Sequence, residues 1–195
     1  MNKEIIKICS FLKQGKTILY PSDTVWGIGC DAENDHAVKR IYEIKKRENK
    51  LGLIVLVSDL DMLTTYVAEV PTKAVDLIEN TQSPLSIIYP MELHRVNPQA
   101  RNLPENVTAK DGSLALRIVK DSFLMALINC HGRGIISTSA NLSGNPEPKN
   151  FWKIDDRILN QVDYVVNWQQ NRQSNMKPSK IIRIELDGKI EIIRE

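Results

Sequence analysis

Three short stretches of this 195-residue chain concentrate side chains that bind anions: Tyr20-Pro21-Ser22-Asp23-Thr24, Lys45-Lys46-Arg47, and Ser137-Thr138-Ser139-Ala140-Asn141-Leu142-Ser143-Gly144. Each falls where a regular element is expected to end. Lys45 and Arg47 lie two apart beyond a helix, so both can face a polyphosphate where the backbone turns extended. The guanidinium then grips two oxygens at once, while the ammonium acts as a point charge. Ser137, Ser139 and Asn141 offer hydroxyl and amide groups that hydrogen-bond phosphate or carboxylate oxygens without adding charge. Taken singly, the basic run reads as a solvated helix end and the serine stretch as a plain turn.

Other chemistries find less support. His36, His94 and His131 sit in no HExxH, Cys/His cluster or recognisable triad pattern, which disfavours a structural zinc and a serine nucleophile. No GxxxxGK[ST] phosphate loop occurs. Gly27-Ile28-Gly29-Cys30-Asp31-Ala32 fits a dinucleotide fingerprint, but Pro21 to Thr24 break its approach strand and the next helix begins only after Asn34. That places the glycines too far from a helix N-terminus to hold a pyrophosphate, so they read as positions of close backbone packing.

Bulk composition narrows the class. Twenty-six basic against 24 acidic side chains leave a formal charge of +2, too balanced for a nucleic-acid coat or a membrane-surface protein. With 42% hydrophobic and 26% charged residues, the chain reads as an ordinary globular protein of one-domain length. Cys9, Cys30 and Cys130 are widely spaced and form no CxxC, which favours a reducing compartment and predicts three buried small hydrophobes. Charges interrupt the apolar residues of Met1 to Gly15, and no apolar run approaches the roughly 18 residues that span a bilayer. A cytoplasmic location without membrane attachment is the expectation, and the Asn141-Leu142-Ser143 triplet is then not a glycosylation site.

The elements that must position the polar stretches follow from periodicity. Ile5, Ile8, Cys9 and Leu12 predict an opening amphipathic helix closed by Gly15. A strand Thr17 to Tyr20 is stopped by Pro21, and apolar residues resume at Val25, Trp26 and Ile28. Asn34 or Asp35 caps a helix with Ala37, Val38, Ile41 and Tyr42 on one face. Strand Leu53 to Val57, a helix capped by Ser58 or Asp59, a second helix from Pro71 to Glu79, and strand Leu85 to Tyr89 come next. Met91 to Asp111 reads as a long irregular loop. Strand Ser113 to Val119, a helix capped by Asp121 or Ser122, and strand Ile135 to Thr138 follow, then a loop Asn141 to Lys149 and a helix near Asp155 to Gln161. A strand Tyr164 to Trp168, a polar loop to Lys177 and a hairpin at Asp187-Gly188 complete the chain. Interleaved helices and strands with a closing hairpin predict an α/β fold with a mixed sheet.

In combination, the motifs resemble the YrdC-like family of threonylcarbamoyl-adenylate synthases. Tyr20 to Ala32 resembles its YPTDTVYGLGCDA signature, Ile44-Lys45-Lys46-Arg47 its IKxR, Ala115-Leu116-Arg117 its AVR strand, and Thr138 to Gly144 its TSANxSG. The resemblance spans nearly the whole chain and implies one domain over residues 1–195 in the short bacterial form. The implied fold is a twisted mixed sheet flanked by helices, with a concave, positively charged pocket. The implied reaction joins L-threonine, bicarbonate and ATP into threonylcarbamoyl-AMP with release of pyrophosphate. A downstream tRNA-modifying transferase complex would then act on adenosine 37, with tRNA itself as a further partner.

The resemblance implies Lys45, Arg47, Ser139 and Asn141 as a catalytic tetrad around the nucleotide phosphates, with Ser137 and Arg194 also on ATP. It implies Ser22, Thr24, Arg117 and Ser179 on threonine. Magnesium would enter with ATP and have no dedicated protein ligands. Departures are Ser22 for threonine, Trp26 for tyrosine, Glu48-Asn49-Lys50-Leu51 for the PxxK spacing, and Lys180 for the threonine after Ser179. The alternative is a non-catalytic tRNA- or double-stranded-RNA-binding module of the same fold, held by backbone electrostatics. Carbamoyl transfer in hydrogenase maturation is a third reading, one that normally comes with zinc-finger cysteines this chain lacks.

Overall fold

Strands and helices interleave along the chain much as periodicity predicts, in a computed structural model that describes residues 2–47, 52–94, 101–171 and 178–195. The order is α1 (Asn2–Lys13), β1 (Ile18–Pro21), β2 (Trp26–Gly29), α2 (Asp35–Lys45), β3 (Ile54–Val57), α3 (Leu60–Thr64), α4 (Thr72–Asn80), β4 (Leu85–Tyr89), α5 (Met91–His94), β5 (Leu114–Ile118), α6 (Ser122–His131), β6 (Ile135–Ser139), α7 (Asp156–Leu159), β7 (Tyr164–Val165), β8 (Lys180–Ile184) and β9 (Ile190–Arg194). Side-chain caps start the helices where expected. Asn34 Oδ1 accepts from the Ala37 amide at 2.9 Å, and Asp121 Oδ1 accepts from the Phe123 and Leu124 amides at 3.0 Å each. Gly132, at φ 77°, ends α6 in the left-handed conformation that L side chains avoid.

The nine strands among the described residues join one sheet in the order β7-β1-β2-β6-β3-β5-β4-β8-β9. The pairing is mixed, as the closing hairpin implied: β1/β7, β3/β5 and β4/β8 are parallel and the other neighbours antiparallel. Alternation along the strands sends side chains to two different cores. Leu19, Val55, Val57, Leu116 and Ile136 pack on one face with α2, α3 and α7. Ile18, Tyr20, Leu56 and Ile135 point to the other face, where α1 and α6 cover them with Ile5, Ile8, Leu12, Leu124 and Leu127. Those two helices occupy only part of that face.

Several details differ from the sequence expectation. Pro21 belongs to β1, opposite Trp26; β7 reaches only Ile18 and Leu19, so a residue without an N–H at that end costs no ladder bond to β7. The stretch read as loop from Met91 contains the single turn α5, and its continuation from Arg101 is tied back by Arg101 N to Thr65 O at 2.8 Å and Leu53 N to Val107 O at 2.9 Å. The strand expected to Trp168 stops at Val165. Cys9 and Cys30 are buried, but Cys130, near the end of α6, is exposed. The departure at Lys50-Leu51 lies outside the described residues, as does most of the polar loop before Lys177.

The glycines of β2 serve close packing. A Cβ on Gly29 would lie 2.5 Å from the Ile136 carbonyl oxygen and 2.8 Å from the Tyr20 ring. Neither can yield without moving the β1-β2-β6 ladder. Gly29→Ala is therefore expected to destabilise the protein by about 1–3 kcal/mol, read by urea denaturation; an unchanged midpoint would mean the ladder relaxes freely.

Candidate active site

Where α1 and α6 do not reach, the second face of the sheet lies open and forms the floor of a cavity of about 310 Å³. The floor follows from strand alternation. Ile54, Ile88, Ala115, Arg117 and Ile181 each sit next to a core residue in their strand and so face away from that core. Ser137 and Ser139 of β6, Gly27 of β2, and Ser22 and Thr24 from the β1–β2 turn form one wall. Arg47, Thr138, Glu147, Ser179 and Arg194 form the rest of the polar lining.

At one end, Arg117 projects from a central strand and is 4% exposed. Its Nη2 meets Asp23 Oδ1 at 2.9 Å, Nη1 donates to Thr24 Oγ1 at 3.5 Å, and Nε has no hydrogen-bond partner. A guanidinium this buried needs a counter-charge, and Asp23 supplies it from the turn that the sequence marked as a polar interruption. The same turn is internally braced: Ser22 Oγ donates to Val25 O at 2.6 Å and shares a hydrogen bond with Thr24 Oγ1 at 2.9 Å.

Across the cavity, the guanidinium of Arg194 clasps residue 179. Its Nε and Nη2 donate to Ser179 O at 3.0 and 2.9 Å, and Nη2 reaches Ser179 Oγ at 3.3 Å. Ser179 Oγ also bonds Ser86 Oγ at 2.9 Å, fixing it against β4. Burial lowers the Arg194 pKa below the usual arginine value; nearby Glu147 opposes this and Arg117 adds to it.

The other end is organised by the terminus of α2. Lys46 takes a left-handed conformation (φ 49°, ψ 44°) and ends the helix, sending Arg47 into the cavity, where its Nη2 donates to Gly52 O at 3.0 Å. Lys45 points elsewhere. It is 3% exposed, and its ammonium donates to the Ser139 carbonyl, to the Asn141 carbonyl at 2.8 Å and to Asn141 Oδ1 at 3.4 Å. Burial, reinforced by Arg47 and opposed by Glu147, lowers its pKa to about 8. Asn141 completes the brace: Oδ1 accepts from Ser139 Oγ at 2.5 Å, and Nδ2 donates to Leu142 O at 3.3 Å and Asn145 O at 2.5 Å.

The sequence candidates thus converge on one region in two layers. Ser22, Thr24, Arg47, Arg117, Ser137, Ser139, Ser179 and Arg194 line the cavity, while Lys45 and Asn141 stand behind Ser139 and hold its loop. Sequence reasoning passed over Asp23 as a counter-ion, the apolar floor, and Glu147. The floor could have been found by asking which strand residues alternate with the core. The signal for Glu147 is an acid between two prolines immediately after the serine-rich stretch.

The profile of the Sua5/YciO/YrdC family, described as "Telomere recombination", matches residues 10–195. A threonylcarbamoyl-AMP synthase from Xanthomonas euvesicatoria pv. vesicatoria is 35% identical over 159 residues, covering 80% of this chain and 81% of that protein. Another, from Pseudoalteromonas translucida, is 31% identical over 182 residues, covering 92% and 91%. Among solved structures, P. abyssi Sua5 complexed with L-threonine matches with a TM-score of 0.77 at 25% identity, over 92% of this chain and 50% of that one. The chain therefore spans about half the length of that Sua5 protein.

Proposed function

Because the chain belongs to the Sua5/YciO/YrdC family, we propose that it is a threonylcarbamoyl-AMP synthase, joining L-threonine, bicarbonate and ATP and releasing pyrophosphate. The observation that carries this reading is the meeting of three guanidinium groups, Arg47, Arg117 and Arg194, with six hydroxyl-bearing residues in the lining of one cavity. Such a lining suits a reaction that brings several anions together.

Arg117 is the group for the threonine carboxylate, since a planar guanidinium matches a carboxylate's two oxygens. Ser22, Thr24 and Ser179 shape the pocket around the amino acid. The threonine amine takes up bicarbonate as a carbamate, losing water. A carbamate oxygen then attacks the α-phosphorus of ATP, the bond from that phosphorus to the bridging oxygen breaks, and pyrophosphate departs. Arg47, Arg194 and Ser137 hold phosphate oxygens, joined by Ser139 once its hydroxyl turns from Asn141 Oδ1, and they stabilise charge that grows there, so that catalysis is positioning and electrostatics. Lys45 and Asn141 keep the Ser139 loop in place to do so. The hard oxygen donors at this end fit magnesium brought in with ATP, which would neutralise charge on the phosphate oxygens.

The product is a mixed anhydride that must pass its threonylcarbamoyl group to an acceptor, and adenosine 37 of tRNA, reached through a transferase complex in the cytoplasm, is the acceptor of this reading. Among the described residues no helix is long and apolar enough to cross a membrane.

Incubating the protein with ATP is expected to release pyrophosphate only when threonine and bicarbonate are both present. Equal release without threonine would overturn the substrate assignment.

A further inference from the structure

Among the described residues, Glu147 is the one acid lining a cavity whose other charged groups are all cationic. It follows the loop braced by Lys45 and Asn141, and it lies between Pro146 and buried Pro148, whose fixed φ angles stiffen the backbone on both sides. Asn141 Nδ2 anchors this segment through Asn145 O at 2.5 Å. It shares the cavity lining with Arg47 and Ser139, and its electrostatic influence reaches Lys45 behind them as well as Arg194. No hydrogen bond or salt bridge joins it to a described residue.

An unpaired carboxylate at the place meant for a polyphosphate repels the ligand unless a cation stands between them. A divalent cation with hard-oxygen preference resolves this, because magnesium is commonly held by one or two protein carboxylates together with substrate phosphates. Among the described residues no group of three or more His, Cys, Asp or Glu side chains converges on a metal. A divalent ion at Glu147 would therefore need oxygens that the nucleotide brings.

We propose that Glu147 is a protein ligand of the magnesium ion that enters with ATP, and that it makes nucleotide binding dependent on that ion. The proposal rests on the threonylcarbamoyl-AMP synthase reading. The ammonium of threonine is the other cation that could meet this carboxylate. The coupling of Glu147 to Lys45, whose ammonium grips the Ser139–Asn141 loop, favours the phosphate end.

Isothermal calorimetry of ATP binding, with Mg²⁺ and with EDTA, on wild type and E147Q decides it without turnover. Wild type is expected to bind ATP at least tenfold more tightly with Mg²⁺. In E147Q that ratio should shrink about tenfold, with metal-free ATP bound as tightly as or more tightly than by wild type. Mn²⁺ in place of Mg²⁺ should give a protein-bound electron paramagnetic resonance signal with ATP that E147Q weakens. An unchanged Mg²⁺ ratio in E147Q, or a variant that loses threonine affinity alone, overturns the Glu147 assignment and leaves the nucleotide site standing. Absence of ATP binding by wild type in both conditions overturns the underlying reading itself.

Discussion

Arg117→Ala is expected to lose about 3–5 kcal/mol of unfolding free energy, because it strips the counter-charge from a carboxylate that is itself buried. Asp23 and Arg117 meet at 2.9 Å with side chains only 9% and 4% exposed. Without the guanidinium, a carboxylate only 9% exposed must stay charged in a poorer environment or take up a proton. Exposed ion pairs elsewhere in the chain should behave differently: Lys39–Asp35, with side chains 62% and 53% exposed, should contribute about 0.3–0.5 kcal/mol. Urea denaturation of Arg117→Ala, Asp23→Ala and the double variant isolates the pair, and the double variant should recover part of the loss. A single-variant loss below about 1 kcal/mol would show that the pair is not sealed from solvent. Arg117→Lys keeps the charge but not the planar fork, so it should regain more stability than threonine-dependent turnover.

Lys45→Met should reduce turnover about a hundredfold while leaving a cooperatively folding protein, the size expected when preorganised donors lose their alignment. The lysine acts through the loop: its ammonium holds oxygens of Ser139 and Asn141, and Asn141 in turn holds Ser139 Oγ and Asn145 O. Methionine fills the volume but donates nothing. The pKa of about 8 gives this prediction a second readout. As pH rises through 8 the ammonium loses its proton, so wild-type turnover should fall there and the Lys45→Met profile should stay flat. Stability runs the opposite way. A lysine whose folded pKa is depressed carries the full cost of its buried charge below the folded value, and that cost is relieved as pH rises toward the ordinary 10.5. Wild type should therefore gain stability relative to Lys45→Met between pH 8 and 10.5. A parallel pH dependence in the two proteins would remove Lys45 from this role.

Much of the architecture was legible because it rests on local signals. Helix caps at Asn34 and Asp121, the turn at Asp187-Gly188 and the apolar strands all emerge from spacing and residue type. What was not legible depends on pairings between distant segments. Pro21 could be tolerated in β1 only because β7 stops short, and no sequence pattern states where a neighbouring strand ends. Cys130 packs outward although Cys9 and Cys30 do not, since the roles are set by which side of α6 meets α1. In the cavity, residue types announced anion chemistry, but the assignment of Arg47 to the lining and Lys45 to the brace turned on a single left-handed residue, Lys46. Glu147 was invisible as a site residue because an acid among prolines is common in surface loops, and only its place in the lining of a cavity with three guanidinium groups gives it meaning.

The strand order has one more consequence. β1 gains its outer neighbour only from β7, and β4 only from β8, so the sheet is knit by late-arriving segments. A nascent chain leaving the ribosome holds Ser22, Arg47 and Arg117 long before Arg194 exists to clasp Ser179. Such non-local pairing is slow to form, and a fragment stopping before β8 would retain most of the binding side chains yet have no enclosed chamber in which to use them.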